Sequence, residues 1–150
     1  MILTTLIYVE KDEQYLMLHR IKKQADINQG KWIGVGGKVE KGETVEDCAR
    51  REMLEETGLA AKSLRYRGIV LFENSLCESE EMHLFTCDDF DGELRDCDEG
   101  ELKWVDKKEI YKLNLWEGDR YFLERLASDA PFFRLRLVYE GDTLIKSTFL

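Results

Sequence analysis

Hydrophobic and polar positions along the chain predict a succession of strands interrupted by two helices. Residues 2–9 and 14–20 are rich in β-branched and aliphatic side chains and flank the charged turn Glu10–Glu13, which predicts a hairpin. His19 and Arg20 end its second strand, and residues 22–31 form a polar loop able to rim a pocket. Trp32-Ile-Gly-Val-Gly-Gly37 reads as a short strand whose glycines allow another backbone or a ligand to come close. The spacing then becomes helical: Thr44 reads as an N-cap with Asp47 in the capping-box position, and Gly58 as the left-handed residue that ends the helix. Two strands follow, 63–74 and 80–88, the second alternating Met82, Leu84 and Thr86 with His83, Phe85 and Cys87. Asp88–Gly92 reads as a turn-rich loop, Asp98–Val105 as a loop leading into a strand, and residues 106–112 as a helical turn capped by Asp106. Glu117–Ser128 is the second helix, with Tyr121, Phe122, Leu123 and Leu126 on its apolar side. Strands at 132–139 and 143–150 close the chain around Gly141-Asp142. The order is β-β-β-α-β-β-β-α-β-β, an α/β pattern without repeats or linkers, which predicts one domain over residues 1–150.

A formal charge of −9 disfavours a nucleic-acid polymer as partner, because such binding relies on Lys and Arg neutralising phosphates. A small anionic substrate remains compatible, since a bound cation reverses the local field. Cys48, Cys77, Cys87 and Cys97 form no C-x-x-C pair and no zinc spacing, so they read as reduced thiols in a cytoplasmic setting. No apolar run reaches membrane-spanning length, and the first residues look like a strand rather than a signal.

The chemistry concentrates on the first helix. Glu52, Glu55 and Glu56 stand at i, i+3 and i+4 and share one face. Val45, Cys48 and Ala49 point the same way, so the carboxylates lie where the helix meets the body of the protein. Three carboxylates on a partly buried face repel one another unless a cation neutralises them, and hard oxygen ligands suit Mg²⁺ or Mn²⁺. A solvated acidic face is the plainer alternative on periodicity alone.

Residues 37–59 decide between the two. Gly37, Glu43, Arg51, Glu52, Met53, Glu55, Glu56, Gly58 and Leu59 fill every fixed position of the signature box of the Nudix hydrolases. The resemblance implies the Nudix fold, a mixed β-sheet sandwiched between helices, and hydrolysis of a diphosphate linked to another group. It implies that Glu52, Glu55 and Glu56 bind divalent metal, Mg²⁺ or Mn²⁺, with a backbone carbonyl of Gly36 or Gly37, and that Glu43 and Arg51 form an ion pair holding loop to helix. Related enzymes carry a further acid ahead of an aromatic-containing strand. Glu99, five residues before Trp104, matches it as metal ligand or as base for the attacking water, with Asp98 in reserve. Arg20 matches a basic residue near the substrate, as a phosphate or base contact, whereas His19 reads as a surface residue and His83 as a sheet side chain.

Substrate choice lies outside the box. Lys31-Trp32, the segment Leu115–Tyr121 and the closing Phe-rich hairpin resemble the MutT-type triphosphatases that clear oxidised purine nucleotides. That likeness implies that Trp116 stacks on the base and Asp119 reads its edge. Two positions depart from it: Gly118 stands where a second acid is found, and Ile33 where animal members carry a base-contacting asparagine. The expectation is a small-molecule nucleotide substrate split to monophosphate and pyrophosphate, without membrane association. The alternatives are a Nudix hydrolase for another nucleotide, such as a normal dNTP, ADP-ribose, a dinucleotide or a pteridine triphosphate, and an inactive nucleotide-sensing module.

Overall fold

The computed structural model describes residues 1–22 and 26–150, so part of the polar loop predicted at 22–31 lies outside the described residues. Strands β1 (Ile2–Lys11) and β2 (Gln14–His19) form the first hairpin, turning through Asp12 and Glu13, both at positive φ. Next come β3 (Trp32–Ile33), helix α1 (Val45–Thr57), β4 (Leu59–Asn74), β5 (Cys77–Gly92) and β6 (Glu101–Asp106). A 3-10 turn at Ile110–Lys112, helix α2 (Asp119–Ala127), β7 (Phe133–Glu140) and β8 (Thr143–Phe149) complete the order. The strands form one mixed sheet in the order β3-β2-β1-β5-β4-β7-β8, with β6 also paired to β2. The β1–β5 and β4–β7 pairs are parallel and the others antiparallel.

β1 explains the layering. Its side chains alternate, so Leu6 and Tyr8 join a core with Phe122, Leu123 and Leu126 of α2, while Ile7 and Val9 join Ala49 and Met53 of α1. The two helices therefore cover opposite faces, an α/β/α sandwich. Among the described residues no helix is long and apolar enough to cross a membrane.

Four local expectations change. The strand expected at 32–37 pairs regularly only through Trp32–Ile33, and beyond it the chain touches β1 in single bridges, Ile7 with Val35 and Thr4 with Lys38. Asp88–Gly92 is not a loop: β5 runs through it, with Gly92 opposite Leu59 and Phe90 opposite Ala61. Asp106 ends β6 rather than capping a helix, although its Oδ1 accepts from the Lys108 N–H. The second helix begins at Asp119, two residues later than expected, because Gly118 is held by a hydrogen bond from its N–H to the Tyr139 hydroxyl at 2.7 Å.

Candidate active site

Both ends of α1 are fastened by local chemistry. Thr44 Oγ1 accepts from the Asp47 N–H at 3.0 Å, and Gly58 at φ +81° closes the helix with its N–H on the Leu54 carbonyl. Arg95 donates to the Leu54 and Glu55 carbonyls, satisfying acceptors that a helix terminus otherwise leaves open. Cys48, Ala49 and Met53 are fully buried against β1 and the glycine loop, which brings the glutamate face inward.

That loop lies against β1 because its glycines permit the approach. A side chain on Gly36, which has φ +154°, would sit 2.0 Å from the Thr5 carbonyl oxygen. One on Gly37 would sit 2.5 Å from the Glu52 carboxyl carbon, so the missing side chain leaves that space to a carboxylate. The Gly37 carbonyl accepts from the Thr5 N–H at 2.9 Å and is tied into the sheet. The Gly36 carbonyl accepts no hydrogen bond among the described residues, which makes it the freer of the two expected backbone ligands.

Arg51 organises the acids nearest the loop. Its Nε meets Glu43 Oε2 at 2.7 Å and its Nη2 meets Glu43 Oε1 at 3.0 Å, a two-pronged pair. The guanidinium holds the Glu43 carboxyl down at about 2. Arg51 Nη1 also reaches Glu52 Oε1 at 2.7 Å and Glu55 Oε2 at 3.3 Å. Glu55 is exposed and does not line the cavity described below. Glu56 is buried, with its Oε2 accepting from the Gly36 N–H at 3.2 Å. Burial, and then the charge of Glu99, push the Glu56 carboxyl well above its usual range, and burial raises Glu52 too. Glu99 pairs with Arg20 at 3.3 Å, and Arg20 with Asp26 at 2.8 Å. Asp98, the reserve candidate, is exposed and lies outside the cavity lining.

Glu52, Glu56 and Glu99 line one cavity of about 770 Å³ together with Arg20, Gly36, Gly37, Trp116 and Asp119. Among the described residues the carboxylates do not close on a single point, because N–H donors on Arg51, Gly36 and Arg20 hold them apart. The donor set still fits a divalent cation: hard oxygens only, crowded like charges, and one carboxyl whose burial disfavours an uncompensated charge. Such an ion would take oxygens of Glu52, Glu56 and Glu99 with the Gly36 carbonyl, and Glu55 after release from Arg51.

The other end of the cavity is aromatic. Trp116 is buried, with Phe72 and Tyr139 edge-on to it at 5.1 and 5.0 Å. Its Nε1 donates to Asn28 Oδ1 at 2.8 Å, and the Lys31 ammonium lies 4.9 Å from the ring centroid. Asp119 is buried, and burial pushes its carboxyl up to about 8, with Lys31 opposing the shift. Gly118 is glycine for a packing reason, since a side chain there would meet the Tyr139 hydroxyl at 2.7 Å. Ile33 lines the wall without a polar group. His19 stacks on Trp32 at 4.3 Å, and His83 bridges Tyr66 and Glu81 on the sheet.

Sequence reasoning missed several wall residues: Thr4, Asn28, Phe72, Glu80 and Met82. Strand alternation places Phe72 opposite Glu80 and Thr4 opposite Met82 once the register is known. None of them carries a motif that would have singled it out earlier.

The NUDIX domain family model matches residues 2–126, and the chain belongs to the Nudix hydrolase family. Over 144 residues it is 33% identical to the oxidized purine nucleoside triphosphate hydrolase of Mus musculus, covering 95% of this chain and 90% of that protein. It is 40% identical over 99 residues to the protein of the same name from Danio rerio, covering 65% of this chain and 63% of that protein, less than two thirds of its length. In three dimensions it superimposes on a crystal structure of a MutT protein from Bacillus halodurans with a TM-score of 0.89, covering 99% and 97% of the two chains at 24% identity, a likeness of fold. Proteins of the family generally use divalent metal ions.

Proposed function

We propose that the protein hydrolyses purine nucleoside triphosphates, oxidised ones included, to the monophosphate and pyrophosphate with Mg²⁺, or Mn²⁺ in its place. The observation that carries this reading is that one cavity is bounded by carboxylates at one end and by Trp116 and Asp119 at the other. It takes an elongated ligand that is anionic at one end and a flat ring at the other. The near-full-length likeness to a protein named for oxidized purine nucleoside triphosphates supports the same substrate class.

Glu52, Glu55, Glu56 and Glu99, with the Gly36 carbonyl, would hold the cation, which would neutralise charge building on the phosphate oxygens. Glu43 and Arg51 keep the glycine loop registered on α1, so the carboxylates reach the phosphates without reorganising. Glu99 is one-third exposed and steered by Arg20, and it serves as a ligand of that cation or as the base that takes the proton of the attacking water. Arg20, whose buried Nε has no partner among the described residues, donates to the phosphates while holding Glu99. Trp116 stacks on the base, its ring plane set by Asn28. Asp119, protonated near neutral pH, donates to a purine carbonyl or ring nitrogen, and when ionised it accepts from the amide edge of guanine. Four free thiols fit a reducing compartment such as the cytoplasm.

The test is steady-state kinetics with Mg²⁺ on dGTP, 8-oxo-dGTP, dATP and 2-hydroxy-dATP beside ADP-ribose and a dinucleotide. The reading predicts the highest kcat/KM among the purine triphosphates. Preference for ADP-ribose or the dinucleotide would replace it with one of the other Nudix substrates, and inactivity on every compound would favour a sensing module.

A further inference from the structure

Glu80 is a charged group on the cavity wall with no part in the chemistry above. Glu80 stands on β5 with Ile2 of β1 and Phe72 of β4 as its register partners, and its side chain joins theirs in the cavity lining. Phe72 meets Trp116 edge-on at 5.1 Å, which puts Glu80 beside the aromatic end. Lys38 and Arg20 line the same cavity, and Arg20 is the partner of Glu99. Glu80 therefore lies between the ring-binding and the phosphate-binding ends. Thr4 adds an independent observation. It is 6% exposed, lines the same cavity, and its buried Oγ1 completes no hydrogen bond among the described residues. That hydroxyl sits beside the Glu80 carboxyl without completing a bond of good geometry.

A carboxylate beside a polyphosphate is repelled by it, and ionised phosphates carry no proton to donate. A ligand has to offer O–H or N–H groups at that point to be tolerated. Between the base and the phosphates of a nucleotide, those donors are the sugar hydroxyls. We propose that Glu80, together with the Thr4 hydroxyl, receives the sugar of the nucleotide and sets the preference among ribose, deoxyribose and dideoxyribose forms. The proposal rests on the nucleoside triphosphate reading above.

The experiment compares the wild-type chain with Glu80→Gln, Glu80→Leu and Thr4→Val on GTP, dGTP and 2′,3′-dideoxy-GTP with Mg²⁺, holding base and triphosphate constant. Glu80→Leu should lower the kcat/KM ratio of GTP to dideoxy-GTP by about tenfold, the scale of one hydrogen bond to a charged group. Glu80→Gln, which keeps an acceptor, should lower it less, and Thr4→Val should move it in the same direction without touching the carboxylate. Equal ratios in the wild type and all three variants overturn the proposal. A wild type inactive on all three nucleotides refutes the functional reading itself, whereas a flat sugar ratio in an active enzyme refutes only the role of Glu80.

Discussion

At the scale of single residues, the site is a set of carboxyl groups held where charge is uncomfortable. Glu56 is the extreme case, buried, near Glu99 and Glu52, with one backbone N–H for company. A bound cation relieves that strain, so Mg²⁺ should raise the melting temperature of the wild type and leave Glu56→Gln nearly unchanged. The same variant should lose at least about a hundredfold in kcat, as expected when charge stabilisation at the reacting phosphate is removed. An Mg²⁺-dependent rise as large in Glu56→Gln as in the wild type would remove Glu56 from the ion-binding set. Asp119 makes a second prediction, with a definite sign. Burial takes its carboxyl from the ordinary 3.8 up to about 8, so the folded chain keeps a proton that the unfolded chain gives up. Folding stability contributed by that proton is complete below about pH 4 and is lost as pH rises toward 8. Asp119→Asn cannot ionise, so its melting temperature relative to the wild type should climb between pH 5 and pH 8.5. Parallel curves would show that Asp119 is ionised throughout. Trp116→Ala should weaken all purine triphosphates alike, by roughly 1–3 kcal/mol if the ring stacks on the base, whereas Asp119→Ala should reorder them.

At the scale of elements, the glycine loop and α1 act as one part, and two alanine substitutions separate the geometric reason from the conformational one. Gly37→Ala drives a methyl group into the Glu52 carboxyl, 2.5 Å away, and should cut kcat by tenfold or more. Gly42→Ala meets nothing within 4 Å but sits at φ +83°, so it should cost about 1–2 kcal/mol of stability and leave kcat intact. Equal losses of activity would mean that the loop tolerates no backbone change anywhere, and the specific contact with Glu52 would lose its significance. α1 itself was legible in the sequence because its signals are local: Thr44 at the start, Gly58 at the end and glutamates at helical spacing. β4 and β5 extend beyond the strands that the pattern predicts for an equally physical reason. Their pairing carries register shifts near Ser63, Gly68 and Asn74, and bulges break the alternation that identifies a strand. The acid-rich stretch Asp88–Gly92 looked like a loop, yet the ladder to Leu59–Ala61 carries it into β5.

At the scale of the whole molecule, the parallel β1–β5 pair and α2 on the far face create the cavity. It brings Trp116 and Asp119 to the same space as Glu52 and Glu56, which stand far earlier in the chain. Local signals mark the box residues, so the acidic end was readable from the sequence. Glu80, Thr4, Phe72 and Asn28 become neighbours only through strand register and loop closure, so no spacing in the sequence exposes them. The central claim, that this cavity splits a purine nucleoside triphosphate between its α and β phosphates, is tested most directly by the products of one reaction. Wild-type protein incubated with 8-oxo-dGTP and Mg²⁺, then resolved by ion-exchange chromatography at early times, should yield the monophosphate and pyrophosphate in equal amounts. Diphosphate with inorganic phosphate as the main early products, or no turnover at all, would contradict it.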